Sequence, residues 1–153
     1  MNDRSIRIRK ANTKDLKAVL QLLQGAGLPS EGVVDGFGHF LVATGQCQMV
    51  GVVGLEHHGN AVLLRSLAVA PECRSRGLGS RLLRAALDQA KDTGACQVYL
   101  LTTTAASFFP RLGFQLVDRG KVTGVVTSSV EWTSACPQTA VCMKLELGKP
   151  GMN

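Results

Sequence analysis

The spacing of apolar side chains changes several times along this chain, and each change predicts an element. "IRIR" near position 6 alternates apolar and polar, the period of a short strand. "NTKDLKAVLQLLQGAG" switches to a helical period, with Leu16, Val19, Leu20 and Leu23 on one stripe. Asn12 or Thr13 suits its cap, Asp15 suits the positive N-terminal end, and Gly25 and Gly27 suit its stop. "FLVAT" and "MVGVVGLEHHG" predict a hairpin turning at "GQCQ"; after an "HGN" turn, "AVLLRSLAVAP" predicts a further strand ended by Pro71. "LGSRLLRAALDQAKDTG" is helical again, with Leu78, Leu82, Ala85, Ala86 and Ala90 at helical spacings and Gly94 as the stop. "CQVYLLTT" is almost continuously apolar, as a central strand covered on both faces would be.

The remainder is less regular. "AASFFPRLGF" predicts a short helix and a turn, because Pro110 limits any longer helix. "QTAVCMKLEL" alternates and predicts a final strand, while Asp118 to Pro137 shows no period and is expected to be a long loop with some structure of its own. The order is strand, helix, three strands, helix, strand, helix, then a strand or two. That is a mixed α/β sandwich, read as a single domain over 1–153 with 1–4 and 148–153 as loose ends.

Composition narrows the classes. At 153 residues and 45% hydrophobic content, the chain can bury a sizeable core, which argues against disorder. No apolar run approaches the roughly 18 residues that span a bilayer. The polar start "MNDRSIRIRK" lacks an apolar signal region, so a cytoplasmic protein is expected. Five cysteines, Cys47, Cys73, Cys96, Cys136 and Cys142, are an odd number without CxxC spacing. They read as reduced, mostly buried thiols rather than a disulfide framework or a zinc site, and no metal is expected. The net charge of +6 invites a nucleic-acid reading. One Trp, one Tyr and no long Lys/Arg run offer no aromatic interleaving for stacking on bases, so a small polyanionic ligand explains the surplus equally well.

Chemistry concentrates in "RSRGLGS", residues 74–80, between a predicted strand and a predicted helix. A helix start leaves backbone N–H groups without partners and carries partial positive charge, and glycines let a phosphate approach them closely. The P-loop pattern is absent, and so are the third glycine and later acid of a dinucleotide fingerprint. A Gly-rich turn alone has a purely structural reading too.

Two motifs in register carry a resemblance. Arg74-Ser75-Arg76-Gly77-Leu78-Gly79, preceded by "LRSLAVAPEC", resembles the acetyl-CoA-binding motif of the GNAT superfamily of N-acetyltransferases, and Ala105 to Phe114, A-x-x-F-[YF]-x-x-L-G-F, resembles its second motif. The likeness spans most of Val62 to Phe114. It implies a GNAT-like three-layer fold: a mixed sheet flanked by helices, with splayed central strands. More narrowly, "LLRSLAV", "YLLTTTA..FF.RLGF" and a tail with "S.E…CP.TA.CM.K" resemble the GNAT proteins of arsenic-resistance operons. Relatives there include enzymes that acetylate an arsenic-containing amino acid and its phosphinic analogue.

The resemblance implies roles. The cofactor pyrophosphate would lie on the N–H groups of Arg76 to Ser80, with Arg74 and Ser75 beside them and Thr102 and Phe109 further along the cofactor. The backbone of Leu67, Ala68 and Val69 would bond the pantetheine arm like an added strand, with the Leu67 N–H as oxyanion donor. Phe109 stands where many relatives carry a proton-donating Tyr, and Thr102 where an Asn is frequent, so the leaving thiolate departs with water, another hydroxyl or no acid at all. Glu56, at a strand end before His57-His58, is the first candidate base through water, though a solvated strand-end carboxylate is the plainer reading; the two histidines and Glu131 are further candidates. Arg65, charged in an apolar strand, either forks onto a substrate carboxylate or points outward from the sheet. By analogy, Ser129, Glu131, Trp132 and Cys136 help line the acceptor pocket. Cys136 and Cys142 need not converge, which disfavours metalloid binding through thiols.

The expected function is acetyl transfer from acetyl-CoA to a small amine, as monomer or homodimer, without nucleic acid or membrane partners. The rival is a non-catalytic acetyl-CoA-binding or arsenic-responsive module, which Phe109 favours.

Overall fold

The computed structural model describes residues 5–46, 48–103, 107–136 and 139–148; Cys47, Ala105 and the expected loose ends, 1–4 and all of 148–153 but Gly148, lie outside the described residues. Strand β1 (Arg7–Lys10) leads through a capped turn into helix α1 (Leu16–Gly25). Asn12 accepts from the Lys14 N–H while Asp15 accepts from the Asn12 N–H, a reciprocal capping box. Asp15 also takes the Arg9 guanidinium in a fork at 2.7 and 2.9 Å. Next come β2 (Phe40–Gly45), β3 (Gln48–His58), β4 (Ala61–Val69), α2 (Leu78–Asp92), β5 (Gln97–Thr102), β6 (Gln115–Val117) and β7 (Val141–Glu146). The strand order is β1-β2-β3-β4-β5-β7-β6, a mixed seven-stranded sheet.

Contacts divide the chain into two compact units. One comprises the chain up to Leu55 together with Ser66–Gln89; the other comprises Glu56–Arg65 and the chain from Ala90 onward. In the first unit, β1 and β3 pair antiparallel on either side of β2. Val19 and Leu23 of α1 bury against Phe40, Val42, Val52 and Ala68. The neighbouring β3 residue, Gly51, points the other way, and a Cβ there would lie 2.7 Å from Leu82 of α2. The two helices therefore cover opposite faces of these strands, which gives three layers. Gly54 leaves the space that the Phe40 ring fills; a Cβ there would sit 2.4 Å from it.

In the second unit, β4 pairs parallel with β5 at three positions, Ala61 to Leu63 against Gln97 to Tyr99. β5 pairs antiparallel with β7 along its whole length. A small core gathers Ala61, Leu63, Tyr99, Val126, Trp132 and Cys142. Pro110 falls in the first turn of a 3₁₀ segment, Phe109–Leu112, where its missing N–H costs nothing, and Gly113 at φ 98° ends that segment. The unpatterned region resolves into 3₁₀ turns at Arg119–Lys121 and Val125–Ser128 and a π-helical turn at Glu131–Ala135. Among the described residues, no helix is long and apolar enough to cross a membrane.

Candidate active site

In the first unit, the approach to α2 is built from backbone. Gly77 takes φ 80° and Ser75 φ 67°, a left-handed pair that turns the chain into α2. The Gly77 carbonyl accepts the first intrahelical bond, from the Arg81 N–H at 3.1 Å, so Leu78, Gly79 and Ser80 form the first turn, whose N–H groups a helix leaves free. No atom lies within 4 Å of where a Gly77 Cβ would sit. That open approach, together with the dipole, fits a pyrophosphate. Arg74 and Arg76 are exposed. Arg74 folds back so that its Nε donates to the Val69 carbonyl at 3.1 Å, on the same strand end that was expected to bond the pantetheine arm. Upstream, Ser66 holds φ 60° within β4, a left-handed residue in a strand that costs about 1 kcal/mol or more. It re-aims the backbone just before Leu67, Ala68 and Val69.

A polar cluster lies inside the second unit. Arg65 is wholly buried on β4 and pairs with two carboxylates: Nη1 lies 2.8 Å from Glu56 Oε2 and Nη2 3.2 Å from Glu131 Oε1. The fork expected to meet a substrate carboxylate thus meets two internal ones, and it points inward rather than out from the sheet. Glu56 keeps 15% of its side chain exposed and Glu131 only 4%. Ser129 Oγ donates to Glu56 Oε1 at 2.6 Å, and His58 Nε2 lies 3.0 Å from the same oxygen. Burial alone would raise the Glu56 pKa, but the bonds from Ser129, His58 and Arg65 outweigh it and hold the carboxylate below its ordinary value. Cys136 donates its thiol proton to Glu131 at 3.4 Å; burial, then the Glu131 charge, push its pKa up to about 12, which makes it an inert thiol. Burial likewise pushes Cys142 up to about 11. His57 turns away, its Nε2 3.1 Å from Thr93 Oγ1.

Other expected site residues have structural surroundings. Phe109 is buried in an edge-to-face aromatic cluster, 5.1 Å from Phe108 and 5.7 Å from Phe114 between ring centroids. Trp132 is buried edge-on to Tyr99 at 6.1 Å. Thr102 stands opposite Val141 in the β5–β7 ladder. Sequence reasoning named Glu56, Arg65, Ser129 and Glu131 separately and missed that they form one network. An arginine in an apolar strand was the available signal, because a buried guanidinium requires partners. It also missed Arg119, which donates to the Trp132 carbonyl and lies over its ring, and a cavity of about 580 Å³ lined by Gln97, Tyr99, Lys121 and Lys144 among others.

Comparison with known proteins follows the same lines. Residues 36–116, more than half of the chain, match the acetyltransferase (GNAT) domain family. An uncharacterized N-acetyltransferase of Chlorobaculum tepidum is 27% identical over 120 residues, which cover 73% of this chain and 77% of that one. The N-acetylglutamate synthase of Neisseria gonorrhoeae, solved with coenzyme A and N-acetyl-glutamate, superposes with a TM-score of 0.80 at 20% identity. That match covers 94% of this chain and 35% of the synthase, so the chain spans about a third of its length. The ribosomal-protein-S18-alanine N-acetyltransferase of Escherichia coli gives a TM-score of 0.71 at 19% identity, covering 97% of both chains.

Proposed function

The chain belongs to the acetyltransferase (GNAT) domain family, and from that premise we propose that it transfers the acetyl group of acetyl-CoA to the amino group of a small molecule. The carrying observation is Glu56: an ionised carboxylate at a strand end, held by three hydrogen bonds and still partly open. Such a group attracts an ammonium and orients it. The donor would rest its pyrophosphate on the N–H groups of Leu78 to Ser80 and its pantetheine arm along Leu67 to Val69. Arg65 acts on the acceptor through Glu56 and Glu131 rather than by direct contact. Ser129 fixes the Glu56 carboxylate, and Phe109 leaves the departing thiolate to solvent, which a thiol of ordinary acidity permits.

The acceptor class we favour is an amino-acid-like toxin, an arsenical or its phosphinic analogue. The support is the likeness of "LLRSLAV" and the cysteine-bearing tail to arsenic-operon relatives. Phe109, unable to donate a proton, favours a second reading as a non-catalytic acetyl-CoA-binding or arsenic-responsive module. Thiol release from acetyl-CoA across a panel of amines, amino acids and phosphinic amino acids decides between them. Acceptor-dependent release is expected, largest for the phosphinic amino acid. Binding of acetyl-CoA without release for any amine would establish the module, and no binding at millimolar acetyl-CoA would remove both readings.

A further inference from the structure

We propose that the cavity in the second unit is a binding site for a small zwitterion of the α-amino-acid type with an apolar side chain. Its volume is about 580 Å³, and the residues that line it all belong to that unit. Such a volume is far above the water-sized voids of a packed interior and falls within the range of small-molecule sites. Among the described residues lining it, none belongs to the Arg65 cluster. The proposal goes beyond acetyl transfer and does not rest on it.

One wall is a sheet face. Gln97 and Tyr99 stand two apart on β5 and so share a face, and Lys144 is the β7 partner of Tyr99. Val117 stands opposite Cys142, two residues before Lys144, and joins the same face. The other wall is the segment that leaves β6. Asp118 caps the 3₁₀ turn Arg119–Lys121 by accepting the Gly120 N–H at 3.0 Å, and Val122 follows that turn. Val117 and Val122 pack on the small core around Tyr99 and Trp132 yet stay half-buried, which leaves apolar surface on the cavity wall.

Charge decides the class of ligand. The charged side chains on the lining are Asp118, Lys121 and Lys144. Lys144 is already answered: its Nζ lies 2.6 Å from Glu146 Oε1, which also accepts from Gln97 Nε2 at 3.3 Å. The same ammonium sits over the Tyr99 ring, 5.9 Å from its centroid. Arg119, in the capped turn, is committed to the carbonyl and ring of Trp132. Among the described residues, Lys121 and Asp118 form no ion pair, and Asp118 gives one carboxylate oxygen to its own turn. An open cation and an open anion therefore stand three positions apart beside an apolar wall. They match a molecule that carries both charges and an apolar group. A dianion would meet the Asp118 charge, and a plain cation would meet Lys121. In the bound state the ligand carboxylate accepts from Lys121 Nζ, its ammonium donates to Asp118 Oδ2, and its side chain covers Val117 and Val122.

The test is a titration of the full chain without acetyl-CoA, so its outcome is independent of whether the chain acetylates any amine. In proton–nitrogen NMR, leucine should shift the backbone amide signals of Tyr99, Val117, Val122 and Lys144 and saturate in the millimolar range. N-acetyl-leucine keeps only the carboxylate, and leucinamide keeps only the ammonium. Each should bind about tenfold more weakly than leucine, the factor that one lost charge-assisted bond is worth. Two variants spare the fold, because Lys121 is exposed and Asp118→Asn keeps an oxygen for the Gly120 N–H. Lys121→Gln should weaken leucine by about tenfold without weakening leucinamide, and Asp118→Asn should weaken leucine as much without weakening N-acetyl-leucine. The proposal is overturned by an absence of saturable shifts with leucine, or by shifts confined to residues away from the cavity. Equal binding of leucine and N-acetyl-leucine, or leucine affinity unchanged in both variants, overturns it as well.

Discussion

A single residue, Arg65, ties the candidate site together. Its guanidinium is fully buried, and the carboxylates of Glu56 and Glu131 with which it pairs are buried or nearly so. Removing one member of such a set leaves charges that low-dielectric surroundings penalise heavily. Arg65→Met should therefore destabilise the fold by about 3–5 kcal/mol, the cost seen when a buried pair loses a partner. Adding Glu131→Gln should recover part of that loss, because it removes the more deeply buried orphaned carboxylate. Urea unfolding of the two single variants and the double variant gives the coupling; strictly additive losses would show that the pair is not an energetic unit. The sequence announced Arg65 only as a charge inside an apolar strand. Its partners stand nine residues earlier, at a strand end, and 66 residues later, in a stretch with no period. Chemistry was legible one residue at a time, whereas convergence depends on tertiary contacts that no local pattern encodes.

Among the elements, the legible ones are those whose own period is long enough to read. Helices α1 and α2 follow their apolar stripes, and Asn12 caps the 3₁₀ turn, Thr13–Asp15, that leads into the first. The β2–β3 hairpin and β4 follow their β-rich runs. By contrast, β6 has three residues and exists because β7 pairs with it. The 3₁₀ and π-helical turns between Asp118 and Cys136 take their shape from buried contacts such as Val126 and Trp132 in the small core. The start of α2 carries the prediction at this scale. Gly77 adopts a positive φ that side chains resist, and the space beside it is open. Gly77→Glu would strain that turn and place an anion where the pyrophosphate is expected. Acetyl-CoA affinity by calorimetry should fall by about tenfold or more, since one lost or repelled charge-assisted contact is worth about 1.5–3 kcal/mol. Retained affinity would put the donor elsewhere.

For the whole molecule, the buried network couples stability to pH. The chain carries a formal charge of +6, and acidification adds to it as carboxylates protonate. Glu56 is held below its ordinary value of 4.5 in the folded state. A carboxylate depressed on folding contributes stability that is fully present above its unfolded pKa and is lost as pH falls through its folded pKa. Asp15 and Glu146 are depressed in the same direction. Their partners are more exposed than Arg65: Arg9 keeps 41% of its side chain in solvent, and Lys144 keeps 27%. Solvent therefore screens those pairs, and their share is small. Of these three carboxylates, Glu56 should therefore contribute most to the acid limb. Melting temperatures of the wild-type protein and Glu56→Gln, measured from pH 7 downward, should differ most at neutral pH and converge below pH 4.5, because protonation does to the wild type what the substitution does permanently. Molar salt should leave that convergence in place, since a buried pair is poorly screened, while it should flatten any part contributed by Asp15 and Glu146. Parallel melting curves across the range would mean that Glu56 carries no folding-linked proton, and the account of a carboxylate held ionised by Ser129, His58 and Arg65 would have to be abandoned.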